Sequence, residues 1–391
     1  METLDIITIS SLSFLLIILM VFGYIELYIH KISLKKIPIR IHVNGTRGKS
    51  SVTRLIAAGL REGGLNTFAK TTGTIPRIIN NVGNDVELHR LRSASIGEQI
   101  KLIRYFSKYK PDALVIECMA VNPQYQWISE HKIVKSTIGV ITNVRPDHLD
   151  EMGTTIDDIA LSLSNTIPYN SKVFTSEKDC LDPLKKIASN RNTILEVADE
   201  ESIGSEYTNQ LSFIEHPENI ELALKVCAEV GVKKDVVLKG ILKAQPDPGA
   251  LFIWDIHYEK NKNKFVSAFA ANDPKSTLQI WNLLGNRIGD YNSCIFLNTR
   301  ADRRYRTNQL ISLVCNEIKP DLFIIRAHDI DSIIKNYSKS NIKLIIYDME
   351  TSPKKVVNTI KDLNNHLVVG IGNMVGWGDD FIKEVKKIKI T

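Results

Sequence analysis

A lysine and a hydroxyl follow two glycines in one short stretch of this 391-residue chain, a combination suited to holding a phosphate group. Glycines let backbone N–H groups approach an anion, and the N-terminus of a following helix favours negative charge. Lys49 is suited to contact the terminal phosphates of a nucleoside triphosphate, and the Ser50 hydroxyl is suited to bind Mg²⁺. We therefore predict an ATP site. Its expected residues are Asn44, Gly45, Thr46, Arg47, Gly48, Lys49, Ser50 and Ser51.

A strand and a helix are predicted on either side of this stretch. Apolar and polar side chains alternate from Ile37 to Val43, and residues 51–60 have the apolar spacing of a helix. The usual phosphate-binding loop reads G-x-x-x-x-G-K-[ST], and its first glycine would fall at Val43, so the chain has the shorter form G-T-x-G-K-S. The agreement of strand, turn and helix favours phosphate binding over a chance Gly- and Ser-rich turn.

Two further predicted strands end in side chains that could hold a metal ion. Residues 113–117 form an apolar run that ends in Glu117, and the run 137–142 leads into the segment that carries His148. Ligands of open α/β sheets bind at the carboxyl ends of strands, so Glu117 is expected beside the metal held by Ser50. His148 could bind the ion or an attached water, although Mg²⁺ prefers oxygen. The alternatives are an ordinary strand-end glutamate and a turn histidine.

Strand-like and helical patterns alternate along the chain, which predicts an α/β protein. The expected parts are a transmembrane anchor at 1–33, an ATP-binding domain with a mostly parallel sheet at 34–245, and a smaller Rossmann-like domain at 246–391. A turn-rich stretch at 245–249 is typical of a boundary. In the first domain, strands are predicted at 113–119, 137–142 and 172–175, and helices near 96–108 and 155–165. In the second, strands are predicted at 264–271, 293–298, 322–326, 343–347 and 367–371, and helices near 275–285, 305–318, 329–337 and 353–364.

The N-terminal segment 6–29 is apolar apart from hydroxyls, one glycine and Glu26. At roughly 1.5 Å per residue it is long enough to cross a hydrocarbon core of about 30 Å. A cleaved signal peptide would carry positive charge before the apolar run, where this chain is acidic; a buried soluble helix is the other alternative. Lysines follow the segment, so the positive-inside rule predicts residues 31–391 in the cytoplasm. Glu26 is expected at the membrane interface or against a partner helix.

Composition excludes several other classes of protein. The chain is 43% hydrophobic and 24% charged, with a net charge of +6 that is spread along its length, so no nucleic-acid surface is predicted. The five cysteines form no C-x-x-C pair and no metal-binding spacing, which is typical of reduced cytosolic thiols.

The motifs G-T-x-G-K-S, a strand-end glutamate and N-x-x-x-D-H-L-D together resemble the Mur ligase family, which includes peptidoglycan amino-acid ligases and folylpolyglutamate synthases. Residues 216–223 are similar to the family's H-N-x-x-N-x-x-A helix. The resemblance implies that Asn219 lies by the adenine, although Pro217 replaces the first asparagine of the motif. It also implies that Lys49, Glu117 and His148 are catalytic.

Further segments resemble substrate-binding parts of the family. Residues 272–276 and 299–303 are similar to two loops of its second domain, which implies that Arg300 contacts ATP and that Lys275 and Arg303 bind phosphate or carboxylate. Residues 71–77 fit one branch, the ATP-dependent ligase subunits of poly-γ-glutamate synthases. Acceptor-site residues are then expected at Thr72, Thr74 and Arg77.

The chain departs from the common family pattern in two ways. The membrane segment leads almost directly into the ATP loop, with no separate domain for a nucleotide-linked sugar. The carbamylated lysine of many members is also missing, since no lysine occurs between Lys135 and Lys172. The second metal would have to be held differently, or a single metal would bind.

The resemblance implies an ATP-dependent ligase that polymerises glutamate through an acyl phosphate and releases ADP. The implied cofactors are ATP and Mg²⁺, with Mn²⁺ as a substitute. The implied partners are glutamate, the growing poly-γ-glutamate chain, a polytopic membrane subunit and an export-associated subunit; oligomers are possible. The alternatives are a folylpolyglutamate-synthase-like ligase and a non-catalytic, ATP-dependent switch of a membrane export complex.

Overall fold

The chain divides into two compact units in a computed structural model. The first unit comprises Met1–Gln210 and His216–Asp247, and the second comprises Leu211–Glu215 and Pro248–Thr391. The described residues are 2–73, 76–90, 94–198, 207, 211, 213, 215–246, 251, 253–258, 261–269, 273–288, 291–328 and 342–388.

The first unit is built on an eight-stranded sheet in the order β4-β3-β2-β5-β1-β6-β7-β8. All neighbours are parallel except the β2–β3 and β3–β4 pairs. This confirms the predicted mostly parallel sheet. Its strands are β1 Ile39–Asn44, β2 Thr67–Thr71, β3 Arg77–Ile79, β4 Asp85–Glu87, β5 Ala113–Glu117, β6 Ile138–Ile141, β7 Lys172–Thr175 and β8 Ile194–Val197.

Helices cover the sheet of the first unit, and α2 packs against β2 and β5 with Val52, Leu55 and Ile56 buried. A π-helical turn at Ser129–Val134 continues α4. The helices are α1 Glu2–Lys35, α2 Lys49–Glu62, α3 Gly97–Ser107, α4 Pro123–Ile128, α5 Leu149–Met152, α6 Ile156–Leu163, α7 Asp182–Asn190, α8 Pro217–Glu229 and α9 Lys234–Leu242.

Strand β1 lies between β5 and β6, and this placement brings the predicted site together. Val43 of β1 is opposite Glu117 of β5, and Asn44 is opposite Ile141 of β6. Because the three strands are parallel, their carboxyl ends meet at one edge of the sheet, where open α/β sheets bind ligands.

Helix α1 is apolar and long enough to cross a membrane over Thr8–Lys35, and no other helix of the described part of the chain qualifies. Its last turns belong to the first unit. The His30 Nε2 lies 2.8 Å from the Ile133 carbonyl, and Leu34 is buried in the cluster that includes Phe106. The Glu26 Oε2 lies 2.6 Å from the Arg104 Nη2 of α3. Neither expectation for Glu26 included this ion pair, because the pairing of distant segments cannot be read from the local pattern.

The second unit has a six-stranded sheet in the order β13-β12-β11-β14-β10-β9, parallel except for the β9–β10 pair. The strand predicted at 264–271 begins and ends earlier, and the helix predicted near 329–337 lies outside the described residues. The strands are β9 Ile253–Tyr258, β10 Asn261–Ser267, β11 Asn292–Asn298, β12 Leu322–Arg326, β13 Lys343–Tyr347 and β14 His366–Gly372. The helices are α10 Pro274–Ile288, α11 Arg304–Leu313, α12 Pro353–Asp362 and α13 Trp377–Ile388.

Candidate active site

The loop between β1 and α2 requires glycine at both ends. Gly45 has a φ of +129°, and a Cβ at this position would lie 2.1 Å from the Thr142 Oγ1. Gly48 has a φ of +78° and is the N-cap of α2, so no side chain caps the first helical turn from that position. Residues other than glycine rarely adopt such φ values. The backbone can therefore approach an anion closely at the start of α2.

The segment after β6 holds this loop in place. Asn143 accepts the Arg47 N–H through its side-chain oxygen at 3.1 Å and the Thr46 N–H through its carbonyl oxygen at 3.0 Å. The Thr142 hydroxyl donates to the Arg47 carbonyl at 2.6 Å. Thr142 and Asn143 are not among the predicted site residues. Their position at the carboxyl end of the strand predicted at 137–142 is the signal that would have found them.

Lys49 curls back into the loop that precedes it. Its Nζ donates to the Gly45 carbonyl at 2.7 Å and to the Thr46 carbonyl at 3.2 Å. Loss of hydration lowers the pKa of Lys49, and the nearby charge of Glu117 opposes that shift. The Lys49 amine is therefore held against the backbone of the loop, at the N-terminus of α2.

Glu117 ends β5 and is only 2% exposed. Its Oε2 accepts the Ser50 hydroxyl at 2.8 Å and the Thr72 N–H at 2.7 Å. A hydroxyl and a carboxylate side by side are oxygen ligands of the kind that Mg²⁺ prefers. Ser50 and Glu117 therefore fit a magnesium ion. Thr72 holds the Glu117 carboxylate through its backbone N–H, a contact that no side-chain pattern reveals.

Asp147 and His148 follow β6, and Asp147 faces the Arg47 side chain of the loop. The Asp147 Oδ2 is 3.6 Å from the Arg47 Nη2 and 4.0 Å from the His148 Nε2. His148 has a φ of +45° at the start of α5, and its side chain is half exposed. Within the described ranges, no three His, Cys, Asp or Glu side chains form a group that could hold a metal. An ion at this site would take further ligands from phosphate oxygens and water, as Mg²⁺ commonly does.

A buried carboxylate braces the segment that leads to His148. Glu177 accepts the Val144 N–H at 2.7 Å and the Arg145 Nη1 at 2.9 Å, both through Oε2. Its Oε1 accepts the N–H groups of residues 178–180. Burial alone would raise the pKa of Glu177, but these donors hold it below its usual value. Sequence reasoning missed this residue, because the strand-end pattern of β7 does not identify its partners.

Asn219 is brought to the same loop from α8. A Cβ on Gly48 would lie 2.9 Å from the Asn219 Oδ1, so the amide packs directly against this glycine. Pro217 is the first residue of α8, with His216 as the N-cap. Proline is favoured at this helical position, which gives a physical reason for its presence in the motif.

Beneath the loop, β1 carries a buried polar network. The Asn44 Nδ2 donates to the Gln126 Oε1 at 2.9 Å and to the Thr166 Oγ1 at 3.1 Å, so this predicted ATP-site side chain is engaged within the protein. Two residues earlier, the His42 Nδ1 lies 2.8 Å from the Glu130 Oε2. Burial alone would lower the pKa of His42, but neighbouring Cys118 and Glu130 raise it to about 9.

The residues predicted for the acceptor site are partly described. Thr72 lies beside Glu117, as given above, and Thr74 lies outside the described residues. The Arg77 Nη1 is 3.5 Å from the Asp85 Oδ1, and the Asp85 Oδ2 is 2.8 Å from the Arg54 Nη1 of α2. Arg77 is therefore tied to the same helix that begins at Lys49.

The second unit holds the other predicted cations. Arg300 follows β11 and pairs with Asp302 at 2.7 Å, and Lys275 lies in the first turn of α10. A cavity of about 30 Å³ at the carboxyl ends of β11 and β14 is lined by Asn298, Arg300 and Arg303, among others. This sheet edge is where ligands of α/β domains bind.

Comparisons with known proteins agree with this architecture. Residues 43–225 match the model of the Mur ligase middle domain, and residues 253–388 match that of the poly-gamma-glutamate synthase CapB C-terminal domain. A folylpolyglutamate synthase/dihydrofolate synthase from Yersinia pestis, solved with AMPPNP and a Mn ion, has the same fold. Its TM-score is 0.67 at 14% identity, over 93% of this chain and 92% of that chain.

Two curated relatives are similar along almost the whole chain. The capsule biosynthesis protein CapB of Bacillus anthracis is 35% identical over 384 residues, which cover 96% of this chain and 82% of the relative. The PGA synthase CapB of Bacillus subtilis (strain 168) is 35% identical over 380 residues, which cover 95% of this chain and 96% of the relative. Together with the matched domains, these relatives show that the chain belongs to the CapB family of Mur-type, ATP-dependent carbon–nitrogen ligases.

Proposed function

We propose that this ligase polymerises glutamate into poly-γ-glutamate for a capsule or a secreted polymer. The observation that carries the proposal is the hydrogen bond between the Ser50 hydroxyl and Glu117 at the N-terminus of α2. It joins a phosphate-loop hydroxyl to a carboxylate, two oxygen ligands of the kind that hold Mg²⁺ beside a bound nucleotide. The printed names of the two CapB relatives support capsule and PGA synthesis as the product class.

The first unit would bind ATP through residues 44–51, with Lys49 at the terminal phosphates and Asn219 near the adenine. Ser50 and Glu117 would hold Mg²⁺, or Mn²⁺ in its place, with His148 close by. When bound, the ion supplies positive charge that stabilises the phosphoryl oxygens. The Yersinia pestis structure, which contains AMPPNP and Mn, supports this choice of ligands.

The proposed reaction has two steps. A carboxylate oxygen of the acceptor attacks the γ-phosphorus, and the bond to the β,γ-bridging oxygen breaks to release ADP. The amine nitrogen of an incoming glutamate then attacks the acyl carbon. The C–N bond forms, the acyl–phosphate bond breaks, and phosphate leaves as the amine loses a proton. The protein's contribution is positioning and charge stabilisation, for which Lys49 is placed inside the loop.

Substrate contacts are assigned to cations and hydroxyls of both units. Thr72, Thr74 and Arg77 would bind the acceptor chain, and Arg77 lies on the same sheet as Glu117. In the second unit, Arg300 would contact the nucleotide, and Lys275 and Arg303 would bind phosphate or carboxylate. Guanidinium groups suit such anions because they offer paired donors.

Helix α1 would be a single membrane span with the two units on the cytoplasmic side. Its apolar, exposed side chains and the lysines after it support this topology. The proposed partners are a polytopic membrane subunit and an export-associated subunit, which would receive the polymer. Co-purification of the tagged chain from its own membranes tests these partners.

The decisive experiment measures incorporation of labelled glutamate by membranes that contain the chain and its partners, with ATP and Mg²⁺. We expect a high-mass labelled polymer and stoichiometric ADP. Lys49→Ala should abolish both, because the loop loses its cation. Lys185→Ala, an exposed lysine of α7, is the matched control and should leave the rate unchanged.

Three outcomes would contradict the proposal. Polymer made by Lys49→Ala membranes would exclude the assigned role of this lysine. Release of AMP would indicate adenylate chemistry. ATP turnover without incorporation would favour another acceptor, such as folate, or a nucleotide-dependent switch of the export complex.

A further inference from the structure

Helix α3 presents a basic and aromatic face to solvent beside α1. We define the α3 face as Lys101, Arg104 and Tyr105 of this helix together with Lys108, its C-cap, and Tyr109, which follows. The first four recur at three- and four-residue spacing and therefore lie on one side of the helix. Lys101, Tyr105, Lys108 and Tyr109 are exposed, whereas Leu102, Ile103 and Phe106 are buried on the other side.

An ion pair sets the position of this face along α1. The Arg104 Nη2 lies 2.6 Å from the Glu26 Oε2, and its Nη1 lies 3.4 Å from the Oε1. Glu26 is the first charged residue after the uncharged stretch 8–25. That stretch spans about 27 Å of helix, close to the thickness of a hydrocarbon core. Arg104, in the middle of the α3 face, is therefore level with the end of the apolar span.

We propose that the α3 face rests on the headgroup layer of an anionic membrane leaflet and forms a second membrane contact beside α1. The inference rests on α1 crossing the membrane, which is part of the proposed function. Lysines at this level bind lipid phosphate, and tyrosines are favoured at the boundary between hydrocarbon and water. The catalytic unit is then held in one orientation rather than suspended from a single helix.

Lipid, rather than a protein, is the occupant that the surface fits. The face is continuous with the apolar surface of α1, where side chains such as Leu19, Phe22 and Tyr24 are more than half exposed. Residues 101–110 include four lysines and arginines, a further lysine at position 110 among them, and no acidic residue. A basic surface that adjoins a membrane span matches a negatively charged headgroup layer.

Site-directed fluorescence quenching on the full-length chain in nanodiscs tests the inference. Tyr105→Cys and Tyr109→Cys carry a fluorophore, and nitroxide lipids act as quenchers at headgroup or acyl-chain depth. The five native cysteines are buried, so labelling is selective for the introduced thiol. Tyr125→Cys on α4 is the exposed matched control, and Leu16→Cys reports on the span itself.

In discs that contain phosphatidylglycerol, we expect headgroup quenching at positions 105 and 109 to exceed that at 125 several-fold. It should fall several-fold in phosphatidylcholine discs, and also in a Lys101→Glu, Lys108→Glu variant of the Tyr109→Cys chain. Acyl-chain quenching of the Leu16→Cys chain should stay the same in both lipids and when Lys101→Glu and Lys108→Glu are added to that chain.

The outcomes separate this inference from the membrane topology. Quenching at 16, with 105 and 109 no higher than 125, would overturn the second contact and leave the span intact. Equal quenching in both lipids would contradict a preference of the α3 face for anionic headgroups. Absence of acyl-chain quenching at 16 would contradict the topology and this inference together. If both introduced thiols are protected from labelling in cells but neither label is quenched in discs, the α3 face binds a protein partner rather than lipid.

Discussion

The loop of the first unit and the arginine region of the second are organised in opposite ways. Around the loop, Glu117 is almost fully buried, and Arg47 is held through both its N–H and its carbonyl by residues after β6. In the second unit, the Arg300 side chain is 39% exposed and pairs with the nearby Asp302. The first region is preorganised for its ligand, whereas the second presents cations whose geometry a ligand would have to fix.

From this difference we expect distinct kinetic roles for the two regions. A carboxylate already held in place, as Glu117 is, would need no reorganisation at the moment of reaction, so its loss should reduce kcat. Exposed arginines attract and align a charged substrate, so their loss should mainly raise KM. The two kinetic parameters therefore separate the regions.

The largest effect is expected for Glu117→Gln. A neutral amide binds Mg²⁺ more weakly than a carboxylate does, so we expect kcat to fall about 10²–10³-fold and the Mg²⁺ requirement to rise. Rates measured across a Mg²⁺ series check this result. Glu87→Gln, at the exposed end of β4, is the control. An unchanged Mg²⁺ dependence would remove Glu117 from the metal site.

A smaller effect is expected for Arg300→Ala in the second unit. We expect KM for ATP to rise about tenfold, equivalent to about 1.4 kcal/mol, with stability within about 0.5 kcal/mol of the parent. Arg326→Ala is the contrasting variant: this arginine is 5% exposed and donates to Asn298 at 2.9 Å, so stability should fall by about 1.5–3 kcal/mol. Urea unfolding and ATP titrations measure both. A fall in kcat alone for Arg300→Ala would contradict the division of roles.

A third prediction concerns pH and the network beneath the loop. The folded-state pKa of His42 is raised to about 9, above the ordinary value of 6.5. Its contribution to stability is therefore fully present below pH 6.5 and is lost as the pH rises through about 9. Urea unfolding between pH 6 and 10 should show this decline, and His42→Gln should reduce it. His89→Gln, at an 85% exposed histidine, should keep the decline. A flat profile for the parent would contradict the raised pKa.

Much of the fold follows from local patterns that the sequence displays. Apolar runs predict the central strands β5, β6 and β7, and the helices predicted near 96–108 and 155–165 correspond to α3 and α6. The three-residue strands β3 and β4 are too short for periodicity to reveal, because they form through pairing with β2. The six-residue edge strand β9 is likewise absent from the predicted strands, and it pairs antiparallel with β10.

The residues of the candidate site also fall into two groups, those that local sequence patterns predict and those that only tertiary contacts reveal. Lys49, Ser50 and Glu117 belong to motifs that occur at strand ends, so chain order suffices to propose them. The Thr72 N–H and the Glu177 carboxylate act through tertiary hydrogen bonds. A side-chain pattern contains no information on which backbone donor a carboxylate will accept.

The ion pair and packing at the end of α1 have a consequence for where the polymer is made. Only Lys36, Ile37 and Pro38 separate α1 from β1, and β1 extends about 20 Å before the loop begins. Because Leu34 is buried within the first unit, this spacing cannot vary as it would on a flexible linker. Each new peptide bond would then form at a constant height above the lipid surface. The growing end of the product would lie at the same height after every cycle.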